Sequence, residues 1–135
     1  MEGIALSTDL TGLEEHHLQG FFVGWPTPPS AKAHLQQLNN STIAILAREQ
    51  GTENVVGFIT VLTDGTLFAY ISALEVLPNY QGAGIGKALV EAALYLVSNI
   101  YAIDLVCDPD VQPFYKKFGL TPYHSMVARR RENIG

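Results

Sequence analysis

Seven residues carry the densest chemical signal in the chain: Gln81-Gly82-Ala83-Gly84-Ile85-Gly86-Lys87. The apolar run Leu67 to Leu77 leads into them, and Pro78-Asn79 breaks that run. Behind them Ile85, Leu89, Ala92, Ala93, Leu96 and Ile100 recur at helical spacing. The pattern predicts a strand, a glycine-rich turn and the start of a helix. The first N–H groups of a helix have no internal acceptor, and the aligned peptide dipoles add partial positive charge there. Glycines let the backbone approach a ligand closely, because no Cβ intervenes. A phosphate or pyrophosphate over residues 81–87 is the expected occupant.

The letters exclude three familiar phosphate loops. A Walker A loop needs glycine at position 81, where Gln81 stands, and Ser or Thr at position 88, where Ala88 stands. A dinucleotide fingerprint beginning at Gly82 needs glycine at position 87, which is Lys87. A kinase glycine loop fails by the same count, and 135 residues are too few for a kinase. What remains, Gln-x-x-Gly-x-Gly after Leu74-Glu75-Val76-Leu77-Pro78, resembles the acetyl-CoA-binding motif of the GNAT superfamily of N-acetyltransferases. The segment Phe114-Tyr115-Lys116-Lys117-Phe118-Gly119-Leu120 strengthens the resemblance, which covers residues 67–122 clearly and the rest of the chain loosely.

The resemblance implies a mixed α/β fold over one domain, residues 1–135. Its sheet is mostly antiparallel, with parallel fourth and fifth strands that splay apart and about four flanking helices. It also implies that acetyl-CoA is the cosubstrate. Gln81, Gly82, Ala83, Gly84, Ile85, Gly86 and Lys87 would hold the pyrophosphate. The backbone of Leu74 and Val76 would pair with the pantetheine arm, as an added strand pairs with an open sheet edge. Asp108 and Phe114 fall on the same cofactor side. Relatives often carry Asn at the position of Asp108, so the amide donor is lost here.

By the same resemblance Tyr115 occupies the position of a general acid that protonates the leaving thiolate. Phenols have a pKa of about 10 and hold their proton at neutral pH. A backbone N–H near Val76 would polarise the thioester carbonyl. For the base, histone-acetylating relatives use a glutamate where this chain has Tyr70, which works only by passing protons through water. Glu75 is the other choice, and it reads equally as an exposed strand carboxylate. Cys107, the one cysteine, reads as packing rather than as an acyl carrier. No His, Cys or Asp cluster has metal-ligand spacing, so no metal is expected. On the acceptor side, Phe21, Phe22 and Trp25 would line a substrate mouth; Trp25 reads equally as a core anchor. The expected activity is direct transfer of an acetyl group from acetyl-CoA to a primary amine of a small molecule. Protein lysines or N-termini are competing acceptors, and a CoA-binding module without turnover is a competing role.

Composition frames this reading. Hydrophobic residues make up 47% and charged residues 16%, as in a globular chain, and the formal net charge is −5. Acidic balance disfavours nucleic acid and suits cationic partners. There is no apolar run of membrane-spanning length and no basic-then-apolar leader, so a cytoplasmic location is expected, with a small amine and a second copy of the chain as partners.

The elements needed to position these residues can also be read. Ile4 to Ser7 is a strand. Thr11-Gly12-Leu13-Glu14 has capping letters before a helical face of Leu10, Leu13, His17, Leu18, Phe21 and Phe22. Ser30 caps a helix carrying Leu35 and Leu38. Strands follow over Thr42 to Arg48 and Asn54 to Thr63, where Gly57 marks a bulge or a close backbone approach. Asp64-Gly65 favours a type I′ turn into the fourth strand. After a helix over 84–98, Ala102 to Cys107 is a fifth strand parallel to the fourth. A short helix from Val111 to Phe118 ends at Gly119, and Leu120 to Arg129 supplies one or two last strands.

Overall fold

A computed structural model describes all 135 residues. Five strands form one sheet in the order β1-β2-β3-β4-β5: Ile4–Ser7, Ile43–Glu49, Val55–Thr63, Phe68–Val76 and Ala102–Asp104. The first four pair antiparallel and β5 lies parallel to β4. Three α-helices accompany them: α1 over Ala31–Asn40, α2 over Ile85–Leu96 and α3 over Gln112–Lys116. No helix is long and apolar enough to cross a membrane. The mixed α/β architecture with parallel β4 and β5 is the one expected.

Two cores sandwich the sheet. On one face α2 buries Ile85, Leu89, Val90 and Ala93 against Ile45, Val56, Ile59, Val61 and Ile71. Sequence spacing put Ala92 and Leu96 in that stripe; the helix is rotated so that Val90 and Val97 point inward and Leu96 is exposed. Gly57 is where α2 comes closest to the sheet. A Cβ there would lie 3.2 Å from Ile85, 3.3 Å from Leu89 and 3.3 Å from the Glu75 carbonyl. The β2–β3 register also shifts between Ala47 and Arg48, so both readings of Gly57 hold.

The other face carries Leu38 of α1 with Leu13, Leu18, Leu46 and Phe58. Ser30 caps α1 as expected, its hydroxyl accepting from the Ala33 N–H at 3.0 Å. The helix expected over residues 10–22 does not form. Gly12 (φ 79°) and Gly20 (φ 91°) take left-handed backbone, and only a 3₁₀ turn at Glu15–His17 lies between them. His17 behaves as a satisfied side chain there, its Nδ1 accepting from the Glu14 N–H at 3.0 Å.

Four further expectations are corrected. The Asp64-Gly65 corner is not type I′, because only Gly65 has positive φ; Asp64 instead accepts through one carboxylate oxygen from the N–H groups of Thr66, Leu67 and Phe68. The last helix is α3 alone, five residues long, and β5 stops at Asp104. Residues 120–129 form no strand.

His34 was not singled out by the sequence. It sits one turn before Leu38, fully buried, its ring 4.5 Å from that of Phe58 and 5.3 Å from that of Phe21. Neither ring nitrogen has a hydrogen-bond partner, and burial pushes its pKa down to about 4. In the unfolded chain it titrates near 6.5. The neutral form is therefore favoured on folding: its contribution is intact above pH 6.5 and is lost progressively as pH falls towards 4. Melting temperature should drop across that window in the parent. His34→Leu, which removes the titration and the orphaned nitrogens, should flatten the slope. Equal pH slopes for parent and variant would contradict this reading of His34.

Candidate active site

The β4–β5 ladder has three residue pairs, Phe68–Ala102, Ala69–Ile103 and Tyr70–Asp104, and then ends. Two residues beyond Tyr70, β4 carries a bulge: Thr60 pairs with Ala73 and Val61 with Ile71, leaving Ser72 as the extra residue. Bulges bend a strand and increase its twist. This one is tied down from α1. The Gln37 amide donates to Thr60 Oγ1 at 2.9 Å, and Thr60 and Ser72 share a hydroxyl hydrogen bond of 2.8 Å. Past Asp104 the chain runs on towards α3, and Leu105 and Cys107, like Phe114 and Phe118, pack against the α2-side core. A gap therefore opens between the end of β4 and residues 105–107. Leu74 and Val76 turn their side chains to the α2 core and leave the β4 edge facing the gap.

At the mouth of the gap the chain runs through the 3₁₀ turn Pro78–Tyr80 to Gln81, whose side-chain amide donates to the Val76 carbonyl at 3.0 Å. Gly82 (φ 81°) and Gly84 (φ 88°) both need glycine, and the space above each is open. Gly84 is the N-cap of α2 and has no side chain to cap it. The first helical bond is Ala88 N–H to the Gly84 carbonyl, at 3.0 Å. Six consecutive N–H groups, Gly82 to Lys87, consequently have no acceptor in the protein. Gly86 differs: a Cβ there would make ordinary contacts, 3.7 Å from Phe114 and 3.8 Å from Val76. This cradle fits a pyrophosphate by its donors, its open space and its position at a helix start. Lys87 is exposed in the first turn, and Asp108 is exposed where the chain leaves the gap.

Tyr115 of α3 lies in the α2-side core, edge-on to Phe114 at 5.0 Å. Its hydroxyl has no partner within the protein, and it borders a hollow of about 640 Å³ that also contains Tyr70 and Cys107. Burial, with a smaller contribution from Cys107, pushes its pKa up to about 12. The Cys107 thiol is raised too, chiefly by burial, which keeps it protonated and unreactive.

Glu75 is neither a free carboxylate nor an exposed one. Its two oxygens accept from the Phe22 N–H at 2.9 and 3.0 Å, and Oε2 accepts from the Val23 N–H at 3.3 Å. Phe22 takes φ 64° to present those donors. Glu75 thus fastens the 20–25 loop over the end of β4. The aromatic mouth is brought only partly together. Phe21 packs edge-on to Phe58 as core, whereas Trp25, 50% exposed, stands against Phe22 with ring centres 5.1 Å apart. Trp25 is no core anchor. Tyr70 lies on the α1 side of the sheet, exposed, and touches the hollow from its far wall. No group of three or more His, Cys, Asp or Glu side chains is placed to hold a metal ion.

One contact outside the sequence reading steadies the cradle. The Tyr80 hydroxyl donates to Glu49 Oε2 at 2.6 Å, and Thr52 donates to the other oxygen at 2.9 Å, tying the turn before Gln81 to the end of β2.

A sequence model of the acetyltransferase (GNAT) family matches residues 10–120. The chain belongs to that family. A crystal structure from Deinococcus radiodurans R1, described provisionally as an acetyltransferase, superposes with a TM-score of 0.94 at 37% identity over 98% of this chain and 92% of that one. The ycf52 protein of Pyropia yezoensis, described as an uncharacterized N-acetyltransferase, is 31% identical over 72% of this chain. This chain spans 58% of that relative's length. An aminoglycoside N-acetyltransferase solved with CoA shares the fold at a TM-score of 0.66 and 19% identity, covering 95% of this chain and 93% of that one.

The two kinds of glycine give a direct test. Gly84→Asp puts a side chain at φ 88° and a negative charge into the cradle. It should weaken CoA binding by about a hundredfold or more by calorimetry. Gly86→Ala should stay within about threefold of the parent, since its Cβ makes only ordinary contacts. Equal affinities for the parent and a folded Gly84→Asp would move the phosphate site elsewhere.

Proposed function

We propose that the protein is an acetyl-CoA-dependent N-acetyltransferase that acetylates a primary amine of a small molecule by direct transfer in a ternary complex. The observation that carries this reading is the pairing of two features: six unpartnered N–H groups at residues 82–87, and a β4 edge left open beyond Tyr70. The first offers donors to a pyrophosphate and the second offers donors and acceptors to the amides of a pantetheine arm. Family membership, and a CoA complex among the proteins sharing the fold, support the same cosubstrate.

In this reading Tyr115 is the acid. With a pKa of about 12 and no internal partner, its phenol keeps its proton at every physiological pH and is free to donate it to a departing thiolate. Gln81 fixes the end of β4 through the Val76 carbonyl, and Glu75 holds the covering loop rather than serving as base. The amine must shed a proton at a cost of about 4–5 kcal/mol at pH 7, given an alkylammonium pKa of about 10.4. Trp25 and Phe22 offer ring faces that draw the ammonium in, and removing water from it there lowers its pKa and so part of that cost; solvent takes the proton. An apolar or aromatic body on the amine suits that pair of rings.

Tyr115→Phe should lower kcat about a hundredfold while CoA affinity stays near the parent's. Parent kcat should show no falling limb below pH 11, because Tyr115 remains protonated there. An unchanged kcat with chemistry rate-limiting would reassign Tyr115 to packing. A thiol-release assay over arylalkylamines, aliphatic amines, aminoglycosides, amino acids and lysine peptides addresses the acceptor. Arylalkylamines should turn over best, with KM raised by Trp25→Ala. A preference for lysine peptides would make the protein a protein acetyltransferase, and binding of CoA without turnover of any amine would make it a CoA-binding module.

A further inference from the structure

One carboxylate holds a whole loop. From Gln19 to Pro29 the chain forms no helix or strand, and its one internal hydrogen bond runs from the Trp25 N–H to the Phe22 carbonyl at 3.2 Å. Every hydrogen bond from this stretch to the rest of the protein ends on Glu75. The Phe22 N–H donates to its two oxygens at 2.9 and 3.0 Å, and the Val23 N–H donates to Oε2 at 3.3 Å. Glu75 makes no ion pair. Its charge is met by those two backbone donors, and bonds to an ionised acceptor are the strong kind. The direction of the side chain follows from register. Glu75 of β4 pairs with Phe58 of β3, and residues directly opposite one another project to one face. Phe58 belongs to the α1-side core, so Glu75 rises on the side where the loop lies.

The loop so held is poised rather than relaxed. Gly20 (φ 91°) and Gly24 (φ 85°) bound its tip, both in the left-handed region where glycine turns freely. Phe22, between them, takes φ 64°, which an aromatic residue adopts only under constraint. Beneath the loop lies His34, fully buried, with the rings of Phe21 and Phe22 5.3 and 4.9 Å from its own and with both nitrogens unpartnered. Lifting the loop would relax Phe22 and let water reach His34. Two costs of the closed state are opposed by aromatic packing and by one carboxylate. The loop also carries Trp25, half-exposed against Phe22.

We propose that Glu75 is a positioning residue for the acceptor: its carboxylate latches residues 20–25 as a hinged lid over the end of β4 and so sets where Trp25 meets the amine. This role rests on the acceptor mouth of Phe22 and Trp25 put forward under the proposed function, and it names what holds that mouth in place. Glu75 acts through the Phe22 backbone, which fixes the ring of Phe22 and, three residues on, that of Trp25. With the latch made, an amine finds both rings already placed. Without it, the amine must order them on binding. The loss therefore falls on binding rather than on the chemical step.

Trp25 is the only tryptophan in the chain, so its fluorescence reports on the loop alone. In Glu75→Ala, acrylamide quenching of Trp25 should rise about twofold or more and KM for the best amine about tenfold or more, while kcat falls less than about threefold. CoA affinity by calorimetry should stay within about twofold of the parent's. Glu75→Gln keeps an oxygen for the Phe22 N–H and should recover most of both losses. In hydrogen exchange on the unaltered protein, the Phe22 and Val23 amides should be protected, while those of Gly20 and Gly24 exchange freely. Trp25 quenching or KM unmoved in Glu75→Ala would overturn the proposal and leave the acetyltransferase reading standing. Phe22 and Val23 amides exchanging at free-chain rates would overturn it too. So would a loss of CoA affinity as large as the rise in KM, which would make Glu75 a support of β4 at large. A parent that acetylates no amine would end the acetyltransferase reading, and the acceptor role of Glu75 with it.

Discussion

Three residue pairs join β4 to β5, and the ending of that ladder is the constraint on which the rest depends. Were pairing to continue past Tyr70 and Asp104, the β4 edge would be satisfied within the protein and nothing could be laid along it. The cause is local. An extra residue at Ser72 bends β4 two positions after the last pair, while Leu105 and Cys107 pack against the α2-side core. The bulge is held from behind by Thr60 and Gln37, so the opening is built into the sheet.

The run of free N–H groups at residues 82–87 is placed by packing on β3, next to the far end of β4. α2 comes down onto β3 at Gly57, where any side chain would press on Ile85, Leu89 and the Glu75 carbonyl. That close seat sets the start of α2, and with it the run of free N–H groups, beside the end of β4. Tyr80 and Gln81 fix the connecting turn through Glu49 and Val76. Glu75 reaches to the other face and holds the loop that bears Trp25. One nine-residue strand thus borders the gap through its backbone and holds the 20–25 loop through Glu75.

What could be read from the sequence was local. The glycine turn at the start of α2 was legible because glycine at 82 and 84 answers to backbone dihedrals, and Ser30 because a cap needs only the N–H three residues on. Parallel β4 and β5 followed from a helical crossover. Where tertiary contacts decide, letters misled. Leu10 to Phe22 have helical spacing, but Gly12 and Gly20 break the run and bury Leu13 and Leu18 without a helix. Glu75 could not be placed, because its partners lie 53 residues away. His34 carried a signal only in its spacing to Leu38, and polar letters in a helix are ordinarily read as solvent-facing. The strands expected after Leu120 do not form: residues 120–129 join no ladder, and residues 121–130 lie exposed.

The central claim is that CoA lies along the open β4 edge with its pyrophosphate over residues 82–87. Amide-resolved NMR during titration with CoA tests it most directly. Amide signals from Gly82 to Lys87 and from Ala73 to Val76 should move together and saturate at one ligand per chain, while those of β1 and β2 stay in place. Saturable shifts confined to other elements, with residues 82–87 unmoved, would contradict the account.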